Sequence, residues 1–196
     1  MSGNKFRGKY RISSARLKNY DYSRNGAYFI TIVSANRENY FGKIIDKKMI
    51  LSEMGKIAWN EWFKTPEIRP DMNIVLDAFV VMPNHIHGII FIGDNKYNSM
   101  KRPNVETRCI ASLHTSQNKP YQNKFGPQRK NLSSIVRGYK SAVTKKCREK
   151  FPYFAWQPRF HDHIIRDKKA LNKIRQYIIL NPELWEHDRN NHDGNW

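Results

Sequence analysis

Two neighbouring segments predict a β-hairpin, and this feature limits the possible folds most strongly. Residues 73–82 (NIVLDAFVVM) and 86–92 (IHGIIFI) are rich in β-branched and aromatic side chains, as strands are. Only a short link around Pro83 and Asn84 separates them. A link of this length joins antiparallel strands, because parallel strands need a crossover of a dozen or more residues. The chain therefore contains an antiparallel sheet.

Further segments predict the elements around this hairpin. We expect strands at 27–34, 43–51, 73–82, 86–92 and 163–165. We expect helices that start after Ser52, Asn131 and Asp167. A mostly antiparallel sheet of four or five short strands with two or three helices is typical of an α+β, ferredoxin-like (RRM-like) architecture, with the helices packed on one face.

Positive charge is concentrated in two stretches of the chain. The 196 residues include 35 Lys and Arg against 17 Asp and Glu, a net charge of +18. Residues 1–25 carry +6 of this charge and predict a basic N-terminal arm, while residues 100–150 carry +11. We expect a single domain at 26–185 that includes a long flexible loop at 93–130, followed by a polar tail at 186–196. So large a basic excess indicates a polyanionic partner, first of all nucleic acid.

The cysteine content and the length of the apolar runs indicate where in the cell the protein is located. Cys109 and Cys147 are the two cysteines, and they form neither a C-x-x-C motif nor a disulfide framework. The start of the chain, MSGNKFRGKY, lacks the apolar core of a signal peptide. The longest aliphatic runs fall far short of the roughly 20 residues that a membrane span needs. We expect a cytoplasmic protein, associated with DNA and not with a membrane.

The segment around His85 and His87 is the most informative for chemistry. Side chains alternate along a strand, so the two imidazoles project from the same face. Nitrogen ligands two positions apart can bind one divalent ion. Two ordinary histidines at a hairpin are the alternative, and His161-Asp162-His163 is a second motif of the same spacing. Spacing alone does not decide between these interpretations.

The last predicted helix carries Tyr177 and Asn181 four residues apart. At about 100° per residue the two side chains lie about 40° apart along one border of its apolar stripe. If this border faced the histidines, a phenol and a carboxamide would lie beside the metal. A half-buried packing tyrosine and a C-terminal cap before Pro182 are the alternatives.

A basic side of the helix that starts at Asn131 predicts contact with a nucleic-acid backbone. Together with the preceding loop it offers Arg129, Lys130, Arg137, Lys140, Lys145 and Lys146. Bases could stack on Phe154 or Trp156, although aromatic residues in such a stretch also serve as core.

Three motifs, in this order, resemble those of the single-tyrosine transposases of the HUH superfamily, specifically the REP-associated type and its insertion-sequence relatives. They are VVMPNHIHGIIF, WQPRFHDHIIRD and IRQYIILNP. The resemblance covers about residues 27–185. It implies that His85, His87 and Asn181 bind Mg²⁺ or Mn²⁺ and that Tyr177 is the nucleophile. It also implies that the enzyme cleaves and rejoins single-stranded hairpin or palindromic DNA through a 5′-phosphotyrosine intermediate.

The resemblance leaves several alternatives open. In the family, His161 and His163 would lie on a short strand that leads into the tyrosine helix. Tyr139 is a rival nucleophile, but its partner four residues later is Val143, which cannot bind a metal. A non-catalytic module that binds single strands and a metal-dependent nuclease that uses water are the alternative functions. The family has both dimeric and monomeric members, so a homodimer remains open.

Overall fold

The computed structural model describes Leu17, residues 20–99 and residues 129–191. The basic arm predicted for residues 1–25 and the loop predicted for 93–130 fall largely outside the described residues.

Four antiparallel strands form the central sheet. β1 (Gly26–Val33) and β5 (His85–Ile92) are the inner strands, and β4 (Ile74–Val81) and β6 (His161–Ile165) are the edges. Their order across the sheet is β4-β5-β1-β6. Among the described residues, these four strands and the two long helices that connect them follow the β-α-β-β-α-β order of the ferredoxin-like fold. The predicted α+β class is therefore confirmed.

The three predicted helices begin where the sequence places them, and they are α1 (Glu53–Phe63), α3 (Leu132–Arg148) and α4 (Lys168–Leu180). The described residues also form a four-residue helix that was not predicted, α2 (Thr65–Ile68). Short 3₁₀ turns lie at Ala35–Arg37, Pro70–Met72 and Trp185–His187. The side chains of Ser52, Asn131 and Asp167 each accept a backbone N–H at the start of α1, α3 and α4. Among the described helices, none has the length and apolar character to cross a membrane.

The two faces of the sheet carry different helices. α1 and α3 cover one face, and the main core lies there. The sheet contributes Tyr28, Ile30, Ile32, Ile86 and Ile90 to this core, and the helices contribute Trp62, Ile135, Val136, Tyr139 and Val143. α4 lies on the opposite face, where Ile178 packs with Ala27, Ile89 and Ile165. The expectation of helices on one face therefore holds for α1 and α3 but not for α4, whose apolar stripe needs its own surface to cover.

Residues 43–51, predicted as one strand, form a separate hairpin instead. It consists of β2 (Gly42–Ile45) and β3 (Lys48–Leu51). Asp46 and Lys47 have φ of 47° and 61°, the backbone conformation of a tight two-residue hairpin turn. The polar interruption of the predicted strand is this turn.

The end of the described chain is packed against the domain. Asp188, Asn190 and Asn191 are buried, although the sequence predicts a polar tail from residue 186. The Asn84 side-chain amide, beside β5, donates a hydrogen bond of 2.7 Å to the carbonyl of Asn190. This contact between residues 106 positions apart brings the end of the described chain to the start of β5.

Candidate metal and nucleophile site

His85 and His87 lie at the start of β5, on the face of the sheet that α4 partly covers. Both side chains are buried, and their Nε2 atoms lie 2.9 Å apart. Each ring is oriented through its other nitrogen. Nδ1 of His85 lies 2.8 Å from Oδ1 of Asn84, and Nδ1 of His87 lies 2.9 Å from Oγ1 of Thr31. Such contacts direct both Nε2 atoms to one point, as in metal sites with oriented imidazoles.

Burial keeps both imidazoles neutral. Burial, together with the positive charges of Arg189 and Arg37, lowers the pKa of His85 to about 3. Burial also holds the pKa of His87 well below its usual value, and His85 adds to this effect. Neutral imidazole is the form that binds a metal, so the pair is ready to do so at neutral pH.

Tyr177 brings a phenol from α4 to this pair. Its hydroxyl lies 3.3 Å from Nε2 of His87, and 41% of the residue is exposed. Partial burial of the side chain raises the pKa of the phenol, and the Asp188 carboxylate raises it further. The Asn181 amide acts in the opposite direction and lowers this pKa. A protonated phenol that solvent can reach thus lies at the edge of a buried nitrogen pair.

Asn181 is buried at the C-terminal end of α4, one turn beyond Tyr177. Its amide nitrogen donates a 3.3 Å hydrogen bond to Oδ2 of Asp188, whereas its Oδ1 has no hydrogen-bond partner among the described residues. An unpaired buried acceptor costs free energy unless something binds it. A cation held by the imidazoles would satisfy this oxygen.

Asp188 completes the cluster, and the sequence analysis did not include it. Its Oδ2 lies 3.8 Å from Nε2 of His85. One ligand atom from each of His85, His87 and Asp188 falls within 4.8 Å of the others. The sequence offered no spacing signal for this carboxylate, because the Asn84–Asn190 contact brings it to the site.

These donors fit a divalent cation. Two ligands bound at right angles about 2.1 Å from one ion lie about 3 Å apart, close to the 2.9 Å between the imidazole nitrogens. The amide oxygen of Asn181 and the carboxylate of Asp188 add oxygen donors, which Mg²⁺ and Mn²⁺ prefer.

An ion pair positions the helix that carries Tyr177. Arg175 donates from Nε and Nη2 to the two carboxylate oxygens of Asp77, at 2.8 and 2.6 Å. Asp77 lies at an irregularity of β4, where the register shifts between Leu76 and Phe79. The shift changes which face the following residues occupy, and at this bulge Arg175 joins α4 to β4.

Tyr139, the rival nucleophile, is part of the main core. It is buried on the other face of the sheet, and its hydroxyl donates a 2.9 Å hydrogen bond to the carbonyl of Ala58. Its ring meets Trp62 edge to face. Tyr139 therefore has a packing position away from the histidine pair.

Two of the predicted DNA-binding lysines bind carboxylates within the domain. Lys130 forms an ion pair with Asp71, and Lys146 forms one with Glu61. Because these carboxylates lie far from the lysines in the chain, local charge patterns in the sequence do not predict the two ion pairs. Arg129 is exposed just before α3.

The other three predicted cations line one groove of about 570 Å³ on α3. The groove is lined by Arg137, Lys140, Ser141, Thr144, Lys145, Arg148 and residues 155–158. The Lys140 ammonium donates to the carbonyls of Gln157 and Arg159 at 2.7 and 2.9 Å. Burial lowers its pKa to about 8. Trp156 lines this groove, whereas Phe154 is buried in the core.

Comparison with known proteins gives the class of the fold. A solved structure of a REP-associated tyrosine transposase bound to a REP hairpin superposes with a TM-score of 0.55 at 23% identity, over 88% of this chain and 73% of that chain. The chain therefore has a transposase-like fold. No protein-family model matches it.

Two relatives come from Haemophilus influenzae. An "Uncharacterized protein" is 37% identical over 184 residues, which is 93% of this chain and 94% of the relative. The chain belongs to the same family as this protein. A "Putative REP-associated tyrosine transposase" is 27% identical over 168 residues, 85% of this chain and 76% of the relative.

Proposed function

We propose that this protein is a metal-dependent tyrosine transposase of the REP-associated type. It would cleave and rejoin single-stranded hairpin or palindromic DNA. The observation that carries the proposal is the hydroxyl of the partly exposed Tyr177, which lies 3.3 Å from Nε2 of His87, one of two buried, neutral imidazoles. The fold and the name of the weaker Haemophilus influenzae relative support the same class.

Four side chains would hold Mg²⁺ or Mn²⁺ in this enzyme. They are His85, His87, Asn181 and Asp188. The bound cation would offset negative charge on the scissile phosphate. The Asn84 and Thr31 contacts keep the imidazoles oriented, so that little reorganisation accompanies binding.

Tyr177 supplies the attacking oxygen. A bond forms between the phenolic oxygen and phosphorus, and the bond from phosphorus to the 3′ oxygen breaks. The phenol loses its proton to solvent as it attacks, and the departing 3′ oxygen takes up a proton. The products are a 5′-phosphotyrosine and a free 3′ hydroxyl, which can reverse the reaction to rejoin strands without an external energy source.

DNA binding would rest on the α3 groove. Arg137, Lys140 and Lys145 line it, and Trp156 offers an aromatic ring within it. The structural relative is bound to a REP hairpin, and we extend hairpin binding to this chain. The exposed Arg129 would add to the positive field beside the groove.

The test uses single strands of the palindromes that flank the gene, labelled at the 3′ or the 5′ end. With Mn²⁺ present, we expect a denaturant-resistant protein–DNA band that carries the 3′ label, together with a shortened free strand that carries the 5′ label. Chelation of the metal should remove both. Shortened strands without the covalent band would indicate a nuclease that uses water. Salt-sensitive binding without cleavage would indicate a non-catalytic module.

A further inference from the structure

The second H-x-H motif lies on the same face of the sheet as the candidate metal site. Thr31 on β1 pairs with His87 on one side and with His161 of β6 on the other, and Phe29 pairs with His163. Paired residues in neighbouring antiparallel strands project from the same face. Strands lie about 4.8 Å apart, so the row from His87 to His161 spans about 10 Å.

The side chains of both histidines of β6 are exposed. β6 is an edge strand, which pairs with β1 on one side. In the described part of the chain, neither imidazole has a hydrogen bond or an ion pair. No third His, Cys, Asp or Glu joins them there in a metal-binding group. The two exposed imidazoles therefore offer rings and nitrogen atoms to a ligand.

Phe29 connects this edge to the candidate nucleophile. Its ring stacks on His87 with centroids 5.3 Å apart and meets the Tyr177 ring edge to face at 6.1 Å. It lies on an inner strand and is half-buried. Aromatic side chains at such positions of RRM-like sheets stack on the bases of single strands.

Positive charge follows the same edge. Arg166, Lys168 and Lys169 are exposed directly after β6. Phosphates of a strand that runs along β6 would meet these cations, while its bases would meet the rings on the sheet.

We propose that Phe29, His161 and His163 form a subsite for the single-stranded nucleotides next to the scissile phosphate. The bases stack on these rings and the backbone continues toward Arg166. This assignment rests on the proposed function, because that function places the scissile phosphate at Tyr177.

The first test measures binding apart from chemistry. In a Tyr177→Phe background with chelator present, the affinity for oligothymidylate is measured by fluorescence anisotropy. The double variant His161→Ala/His163→Ala should bind at least about tenfold more weakly, because base-stacking contacts with the protein are removed. Tyr153→Ala, which removes an exposed aromatic side chain outside this face, is the matched control and should leave the affinity unchanged. Thermal melting of each variant verifies that the fold is intact.

The second test maps the contact. Oligothymidylate that carries 5-iodouracil is cross-linked to the protein by light, and the tryptic peptides are identified by mass spectrometry. The cross-link should fall on residues 160–166, which form one tryptic peptide. An affinity of the double variant for oligothymidylate within about twofold of that of its parent would overturn the subsite, and so would a cross-link confined to α3.

The two proposals fail separately. If the wild-type protein forms no covalent band but the double variant loses affinity, the subsite stands and the transposase chemistry does not. If the band forms and the double variant binds normally, the subsite alone is wrong.

Discussion

Asp188 lies with a carboxylate oxygen 3.8 Å from Nε2 of His85, although the two residues are far apart in the chain. The same oxygen accepts a hydrogen bond from the amide nitrogen of Asn181. The carboxylate therefore contacts both a predicted ligand and the residue that presents an unpaired buried oxygen. It is the one anionic group among the proposed metal donors.

Replacement of Asp188 by asparagine tests its part in metal binding. Asp188→Asn keeps the size of the side chain and removes its charge, so Mn²⁺ affinity should fall about tenfold or more, as measured by calorimetry without DNA. Glu186→Gln, which neutralises an exposed carboxylate two residues away, should have no such effect. Equal Mn²⁺ affinity of Asp188→Asn and the wild type would remove Asp188 from the site.

Loss of the Arg175–Asp77 ion pair should impair catalysis more than folding. The pair is partly exposed, so its net contribution to stability is small. It nevertheless joins α4 to β4 two residues before Tyr177, so we expect it to hold the phenol in place. Arg175→Met should slow adduct formation about tenfold at saturating DNA while Mn²⁺ affinity changes little. An unchanged rate would show that apolar packing of Ile178 suffices to position the helix.

Lys140 predicts a pH dependence of DNA binding. Its pKa is lowered to about 8, so the ammonium is charged at pH 7 and loses its charge as the pH rises through 8. Hairpin affinity should therefore fall between about pH 7 and pH 9 by more than in the variant Lys140→Arg, whose guanidinium stays charged. Anisotropy titrations at constant ionic strength measure this difference. Parallel pH profiles for both proteins would contradict a role for the Lys140 charge.

Gly88 follows His87 in β5 and faces the main core. A substitution at this position tests the packing of that core. A Cβ at this position would lie 2.4 Å from the ring of Trp62. Trp62 is itself stacked on Phe79 with centroids 4.4 Å apart, so it has little room to move. Gly88→Ala should lower the free energy of unfolding by about 1–3 kcal/mol in denaturant titrations.

Gly138→Ala is the control for this prediction. A Cβ at Gly138 would approach Nη2 of Arg69, which donates a 2.8 Å hydrogen bond to the Ser134 carbonyl but ends a longer side chain than that of Trp62. Alanine also favours the helix by about 0.5–1 kcal/mol over glycine. An unchanged free energy of unfolding for Gly88→Ala would show that Trp62 can move to make room for the methyl group.

Local patterns in the sequence predict the parts of the site that depend on local geometry. Alternation along β5 places His85 and His87 on one face, and helical spacing places Tyr177 and Asn181 on one border of α4. Asp188 could not be predicted in this way, because a hydrogen bond between distant asparagines brings it to the site.

The same limit applies to charges and to the choice of face. The partners of Lys130 and Lys146 lie 59 and 85 positions away, so only the structure distinguishes ion-paired lysines from those of the groove. The apolar stripe of α4 predicts that one side is buried but not which face of the sheet buries it. The turn at Asp46 and Lys47 lacks glycine, so the β2–β3 hairpin had no strong turn signal.

The location of the covalent link tests the central claim most directly. Trypsin separates Tyr177, in a peptide of residues 176–189, from Tyr139, in a peptide of residues 138–140. After reaction with single-stranded palindromic DNA and nuclease trimming, mass spectrometry should find the nucleotide on the peptide of residues 176–189. The variant Tyr177→Phe should form no adduct and still bind the strand. A nucleotide on Tyr139, or an undiminished adduct from Tyr177→Phe, would contradict the account.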